Sequence, residues 1–340
     1  MELSICSVSF NSATELKWNI ATSKCLNTET DLHWIIAENT PANTSARLSE
    51  SVKGATVIPG AEAGHSPTHH HTIALGKAIA RATTRFILIL DPDFFIVRNE
   101  WAAQMMRHMM SKKLSILGVP WHPKLLGKYR YFPAVHCSLF DTERFAQSNI
   151  DFRPDYPDGN SDPAWPGGYD PDENYFAEKY ISRLLSKLPI MKPRRQFYTD
   201  TGGRLFKRYI RDPAVSFELI DPIFDPSQYR RHFRWTTKLL EKLLPDELCY
   251  LPKHYRNMSD AGFLQRYVAE PVPDDWQEFS WNGSPFGFHM QRTHSPNKRS
   301  RDEELELLSR ILEGVQRSAR REEPRALDNS ASSQRSNVDA

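Results

Sequence analysis

One stretch constrains this chain more than any other: Phe86-Ile87-Leu88-Ile89-Leu90-Asp91-Pro92-Asp93-Phe94-Phe95-Ile96. Five apolar residues without polar alternation are how a strand buried on both faces of a parallel sheet reads. Ligands of open α/β sheets bind outside the carboxyl ends of the strands, so Asp91 and Asp93 are expected at a crevice, with Pro92 stiffening the turn between them. Two carboxylates that close repel each other unless a cation lies between them, and a hard divalent ion carrying a diphosphate answers that repulsion. The alternative is local: a strand, an Asp-Pro turn and a helix cap on Asp93.

The flanking sequence favours the crevice. Residues 3–11 alternate and break at Asn11-Ser12, giving a strand and a loop, and residues 14–25 have helical spacing at Leu16 and Ile20. A second strand, 31–39, ends in Glu38-Asn39; a shorter one follows at 52–58; a helix over 71–83 then feeds the central strand. Alternation of this kind predicts an α/β fold, with a mostly parallel central sheet and helices on both faces. Beyond it come a Met-rich helix at 101–112, whose Met105, Met106, Met109 and Met110 suit core filling, and a strand at 114–119. The segment 151–174 is dense in Pro, Gly and Asp around Tyr156, Trp165 and Tyr169; long loops of this kind are functional or disordered, and their aromatic residues suit a sugar face or a plain surface anchor. Helix returns at 175–188, strand-like sequence at 214–220 and basic, aromatic helical sequence at 229–244. The last ordered-looking piece, 279–289, contains a Gly-Ser-Pro-Phe-Gly loop. A C-terminal helix over 297–319 carries the stripe Leu305, Leu308, Leu312 and Val315, suited to docking on the chain itself or on a second copy as a homodimer, and residues 320–340 read as a disordered tail.

A formal net charge of +2 gives no case for nucleic acid as a partner. Cys6, Cys25, Cys137 and Cys249 lack paired spacing and read as reduced thiols. There is no basic-then-apolar leader, and no run approaches the roughly 18 apolar residues of a membrane span. The expected location is therefore cytoplasmic, with peripheral attachment to the inner face of a membrane as the variant, and the sequons at Asn43, Asn257 and Asn282 are expected to be accidental.

Taken in order, these residues resemble the nucleotide-sugar glycosyltransferases of the GT-A fold, the inverting family 2 in particular. Val8-Ser9-Phe10-Asn11 is similar to their opening strand and nucleotide-contact loop, and Glu38-Asn39 stands where they carry an acidic pair at the nucleoside. Asp91-Pro92-Asp93 matches their D-x-D metal signature. Thr199-Asp200-Thr201-Gly202 resembles the late segment that bears their base, with Thr199 in place of the usual Glu, and Phe288-His289 resembles their C-terminal metal-binding histidine, His294 being the alternative. The resemblance implies a donor-binding part at 1–120 and an acceptor-binding, catalytic part at 121–296 of one domain. It implies donor contacts at Ser9, Asn11, Glu38, Asn39, His71, Asp91 and Asp93, and a Mg²⁺ or Mn²⁺ ion on Asp93 and His289. Acceptor contacts fall at Trp165, Tyr169, Asp172 and Glu173; the acceptor is a glycan, a lipid-linked glycan or a protein. Asp200 is the implied general base, with Asp172 and Glu173 as substitutes, and a single displacement with one base inverts the anomeric carbon.

Four other readings compete. His65, His69, His70 and His71 suggest a metallohydrolase, but consecutive histidines cannot all face one ion, and a loop-to-helix segment near a donor diphosphate suits them better. His122 and His136 would border the acceptor, although lone histidines commonly satisfy local hydrogen bonds. Arg194, Arg195, Arg204, Lys207, Arg208 and Arg211 around Asp200 form a solvated face, of which a minority could meet an anion. A sugar-phosphate nucleotidyltransferase or a dinucleotide-dependent dehydrogenase would need glycines after the first strand, and residues 9–17 contain none. A non-catalytic nucleotide-sugar binding module is the reading from outside enzymology.

Overall fold

The computed structural model describes residues 1–42, 44, 47–48, 52–62, 67–123, 125, 128–129, 131–154, 201–224, 262–290 and 299–322. In chain order its main elements are β1 (Glu2–Ser9), α1 (Ala13–Leu26), β2 (Asp31–Glu38), β3 (Ala55–Pro59), α2 (Pro67–Arg81), β4 (Phe86–Leu90), β5 (Phe94–Ile96), α3 (Trp101–Lys112), β6 (Ile116–Pro120) and β7 (Pro133–Asp141). They continue with α4 (Gly203–Tyr209), β8 (Phe217–Leu219), β9 (Asp221–Pro222), β10 (Gln277–Trp281), β11 (Ser284–His289) and α5 (Arg301–Glu322).

Seven strands form the main sheet in the order β3-β2-β1-β4-β7-β6-β8, and four form a second sheet, β5-β11-β10-β9. In the main sheet β1 pairs in parallel with β2 and β4, β2 with β3 and β6 with β8; β7 runs antiparallel between β4 and β6. The expected mixed α/β fold is thus present. The unbroken apolar run of β4 is explained by its two covered faces: Phe86, Leu88 and Leu90 join the core formed with α1, α3 and α5, while Ile87 and Ile89 join the core formed with α2 and α4. Met105, Met106 and Met109 fill the first of these cores, and Met110 is exposed.

Several boundaries differ from expectation. The 86–96 stretch is two strands, because the chain leaves the main sheet at Asp91-Pro92-Asp93 and Phe94–Ile96 joins the second sheet against β11. The Gly-Ser-Pro-Phe-Gly segment is strand β11 of a hairpin, turned at Asn282 and Gly283 with φ of 50° and 72°, the left-handed pair that a two-residue hairpin turn requires. Helix α2 starts four residues before the expected 71, at Pro67, where a fixed φ and a missing N–H suit a first turn. Strand β7, buried along all nine residues, has no counterpart in the sequence reading.

The C-terminal helix docks on its own chain. Leu308, Leu312 and Val315 are buried as the stripe predicts, Leu305 packs at the edge, and Leu307 and Ile311 widen the face. Arg301 lies 3.3 Å from the buried Glu15 of α1 and donates to the Asn11 carbonyl. The stripe thus packs on the chain's own core, with Leu305 half-buried at its edge. Ile311 is fully buried, so Ile311→Ala should destabilise the fold by about 2–5 kcal/mol in urea titration; a loss under about 1 kcal/mol would mean the helix is not part of the core. Among the described residues, no helix is long and apolar enough to cross a membrane. Cys6, Cys25 and Cys137 are free thiols, and Cys249 lies outside the described residues.

Candidate metal and nucleotide site

The switch between sheets builds the site. Backbone bonds hold the Asp91-Pro92-Asp93 turn on every side: Asp91 N donates to His136 O at 2.9 Å, Phe94 N to Asp91 O at 3.1 Å and Met290 N to Asp93 O at 2.9 Å. Buried Asn19 of α1 adds a bond from Nδ2 to Phe94 O at 2.8 Å. Register then decides which side chains meet. Leu90 is opposite Cys137 in the β4–β7 ladder, which sets His136 beside Asp91; His289 is opposite Phe94 in the β5–β11 ladder, which sets it beside Asp93.

Three strand ends therefore place two carboxylates and two imidazoles together. His136 Nδ1 is 2.8 Å from Asp91 Oδ2, and His289 Nε2 is 3.2 Å from Asp93 Oδ1. The two rings lie with centroids 4.2 Å apart and planes tilted by 30°, and Trp121 meets the His136 ring edge-on at 4.3 Å. On its far side His289 Nδ1 faces Gln277 Oε1 at 3.3 Å. From α2, His71 Nε2 approaches Asp91 Oδ1 at 3.9 Å. Burial by itself would raise the Asp91 carboxyl, but the His136 hydrogen bond and the charges of His136, His71 and His289 override it and hold the group at about 2. Burial, then the neighbouring His289, drives His136 down to about 4 against the pull of Asp91 and Asp93. At neutral pH Asp91 is ionised and His136 neutral, and because a carboxylate only accepts, the His136 proton sits on Nδ1.

The residues fit a divalent cation. Asp91, His136 and His289 each offer a ligand atom within 4.8 Å of the others, and Asp93 adjoins His289. Buried Nε2 atoms of His136 and His71 have no hydrogen-bond partner.

The remaining predicted donor residues divide in two. Ser9 ends β1, the strand beside β4, and Asn11 lies in the loop that follows; Ser9 Oγ and Asn11 Oδ1 are buried without partners. Asn11 is also left-handed, with φ of 54°. Glu38 and Asn39 are engaged by backbone. Glu38 accepts from Thr40 N at 2.6 Å and Leu48 N at 2.7 Å; Asn39 accepts from Ala61 N at 2.7 Å and donates to His70 O at 3.2 Å. Gly60 permits that staple, since a Cβ there would lie 1.9 Å from Asn39 Oδ1. Within the histidine run His70 turns to Ala61 O while His71 turns to Asp91, as consecutive helix positions must. His65, Trp165, Tyr169, Asp172, Glu173, Arg194, Arg195, Asp200 and His294 lie outside the described residues.

Part of the basic cluster surrounds an open hollow of about 560 Å³, lined by Asp151, Arg153, Arg204, Lys207, Arg208 and Tyr209. Arg153 grips Asp151 with two bonds of 2.8 Å, and Arg204 stands 3.7 Å from the same carboxylate. His122 is a local partner, as lone histidines commonly are, with Nε2 3.1 Å from Ile223 O. His136, expected at the acceptor border or as a local hydrogen-bond partner, stands instead against Asp91. Its signal was weak: one histidine in a strand that begins with Pro133, a position open to proline.

No family model matches the chain, and no curated protein matches it. Among solved structures it is similar to S. aureus TarS 1-349, with 12% identity and a TM-score of 0.31 over 45% of this chain and 50% of that one. It is also similar to the mannosyltransferase PcManGT from Pyrobaculum calidifontis in complex with GDP-Man and Mn²⁺, with 13% identity and a TM-score of 0.34 over 44% and 47%. A third similar structure is the galactosyltransferase LgtC with donor and acceptor sugar analogues, with 12% identity and a TM-score of 0.36 over 76% and 88%. The matches to TarS and PcManGT thus span about half the length of those chains.

Proposed function

We propose that this protein is a GT-A-type glycosyltransferase that moves a sugar from a nucleoside-diphosphate sugar to an acceptor hydroxyl. The observation that carries the reading is the convergence of Asp91, Asp93 and His289 at the end of β4, beside the unpartnered Ser9 and Asn11 at the end of β1. Asp91, Asp93 and His289 would hold a divalent ion, Mn²⁺ or Mg²⁺, which when bound supplies Lewis-acid stabilisation of a departing diphosphate. Ser9 and Asn11 present an O–H and an amide where a nucleoside would lie. Glu38 and Asn39, stapled to backbone at the end of β2, would meet the nucleoside beside them. The N-terminal turn of α2, with His71 near Asp91, would favour a neighbouring anion through the helix dipole.

On the acceptor side, Trp165 and Tyr169 would stack on a glycan, and Asp172 and Glu173 would bind its hydroxyls. Asp200 would take the proton of the attacking hydroxyl. One base acting in one displacement inverts the anomeric centre, and the acceptor is a glycan, a lipid-linked glycan or a protein.

The test is a melting-temperature screen of UDP and GDP with and without Mn²⁺ or Mg²⁺, followed by donor hydrolysis. Ligand at about 100 times its Kd stabilises the native state by about 2.7 kcal/mol, so a shift with ion and nucleotide together that neither gives alone is expected. Absence of that shift for every nucleotide would overturn the reading. A shift without hydrolysis or transfer would instead favour a non-catalytic binding module.

A further inference from the structure

We propose that the hollow beside α4 is a second binding site, one that takes a phosphate monoester bearing an apolar chain, with the phosphate on Arg153, Arg208 and the Tyr209 hydroxyl and the chain in a slot along α2. The site goes beyond the donor reading and stands without it, since none of its lining belongs to the Asp91, Asp93 and His289 group.

The first argument is charge. Arg153, Arg204, Lys207 and Arg208 line a hollow of about 560 Å³ in which Asp151 is the lining carboxylate. Asp151 accepts from Arg153 Nε and Nη2 at 2.8 Å each, which fixes that guanidinium and leaves its Nη1 outside the pair. Arg208 is exposed, with its guanidinium over the Tyr209 ring at 5.2 Å. Counting Asp212, whose charge also reaches Tyr209, cations still outnumber acids four to two. A concave surface with that excess suits an oxyanion, and guanidinium forks match phosphate oxygens.

The second argument is an unmet donor. Tyr209 is 5% exposed and lines the hollow, and its hydroxyl is buried with no hydrogen-bond partner. Burial, and then Asp212 and Asp151 against Arg208, holds the phenol above its ordinary value, so at neutral pH the hydroxyl keeps its proton. A buried donor without an acceptor is costly, and a phosphate oxygen, met directly or through one water, supplies the acceptor.

The third argument is what adjoins the hollow. A slot of about 280 Å³ shares Asp151 and Arg153 with it and is walled by Ile73, Leu75, Ile79, Ile150 and Phe152. Gly76 of α2 also lines the slot, and a Cβ there would meet nothing within 4 Å. A ligand whose phosphate rests in the hollow therefore finds apolar wall for the group it is esterified to.

Titration calorimetry of the full chain with octyl phosphate, below its micellar concentration, and with inorganic phosphate tests both halves and separates a lipid-like ester from the free anion. Octyl phosphate should bind at least about tenfold tighter than inorganic phosphate. Arg208→Gln should weaken both ligands about tenfold and Tyr209→Phe about threefold, the latter with no loss of melting temperature, because the hydroxyl it removes has no partner in the fold. Gly76→Leu fills open space and favours the helix; it should bring octyl phosphate down to the affinity of inorganic phosphate and leave inorganic phosphate unchanged. Lys112→Gln, on α3 at the other face of the main sheet, should change neither. Absence of octyl phosphate binding, equal affinity for the two ligands, or unchanged octyl phosphate binding in folded Gly76→Leu would overturn the proposal. Equal losses in Lys112→Gln and Arg208→Gln would reduce the hollow to bulk charge and overturn it as well. The titrations contain no metal and no nucleotide, so their failure leaves the glycosyltransferase reading standing, and failure of the nucleotide screen leaves this site standing.

Discussion

Asp93→Asn and Asp91→Asn should each weaken ion-dependent binding of a nucleoside diphosphate by at least about 10²-fold, close to 3 kcal/mol. Both substitutions keep side-chain volume and hydrogen-bonding capacity, so the turn, which backbone bonds at Phe94, Met290 and Asp91 secure, should survive. What they remove is charge. With one carboxylate neutral, the cluster keeps its imidazoles but offers a divalent ion half the anionic attraction, and the diphosphate loses the cation that offsets its own charge. Thermal stability in chelator should fall for Asp91→Asn, because a carboxyl held well below its usual range by His136, His71 and His289 is one whose charge the fold favours. Asp151→Asn, in the hollow around Arg153, serves as the control and should leave nucleotide affinity unchanged. Equal affinity with and without the ion in the unmodified protein, or undiminished ion-dependent affinity in either variant, would remove the metal from the donor site.

The half of this site that was legible in the sequence is the half encoded locally. Strand β4 reads directly because both of its faces are covered, so nothing polar interrupts it before Asp91. The other half comes from register between distant segments. His136 reaches Asp91 only because β7 inserts antiparallel between β4 and β6, and its polar His136 and Ser138 broke the apolar pattern by which a buried strand is recognised. Ser138 is satisfied within its own strand, at 2.6 Å from Ala134 O, a bond no periodicity reveals. Phe94–Ile96 looked like a continuation of β4 because apolar residues on either side of a sheet switch are chemically alike. The turn residues Asn282-Gly283 announce the hairpin, while Pro285 and Gly287 resemble loop residues yet are tolerated in this short strand. For Glu38 and Asn39, composition gives no way to tell a free carboxylate or amide from one consumed by backbone at Thr40, Leu48 and Ala61.

The largest kinetic effect is expected at Asp200. Asp200→Asn should lower kcat by about 10²- to 10⁴-fold while donor affinity stays within a few fold, because a general base acts on the acceptor proton and scarcely touches the donor. Support for the assignment comes from the residues that follow it. Thr201 is buried, Gly202 N donates to Phe152 O at 2.6 Å, and Gly202 is left-handed with φ of 89°. A Cβ at Gly202 would lie 2.5 Å from Tyr129 Oη, so a glycine is needed on both conformational and steric grounds. Helix α4 then anchors in the core through Leu205 and Phe206, the latter stacked on Tyr129 at 4.6 Å. A base works only if its carboxylate is held within hydrogen-bonding reach of the acceptor, and the segment from Thr201 onward is anchored in the core. Asp172→Asn and Glu173→Gln should shift KM for the acceptor and change kcat far less. Near-unmodified turnover by Asp200→Asn on the acceptor would transfer the base to one of those two residues, and the late segment would lose its catalytic role.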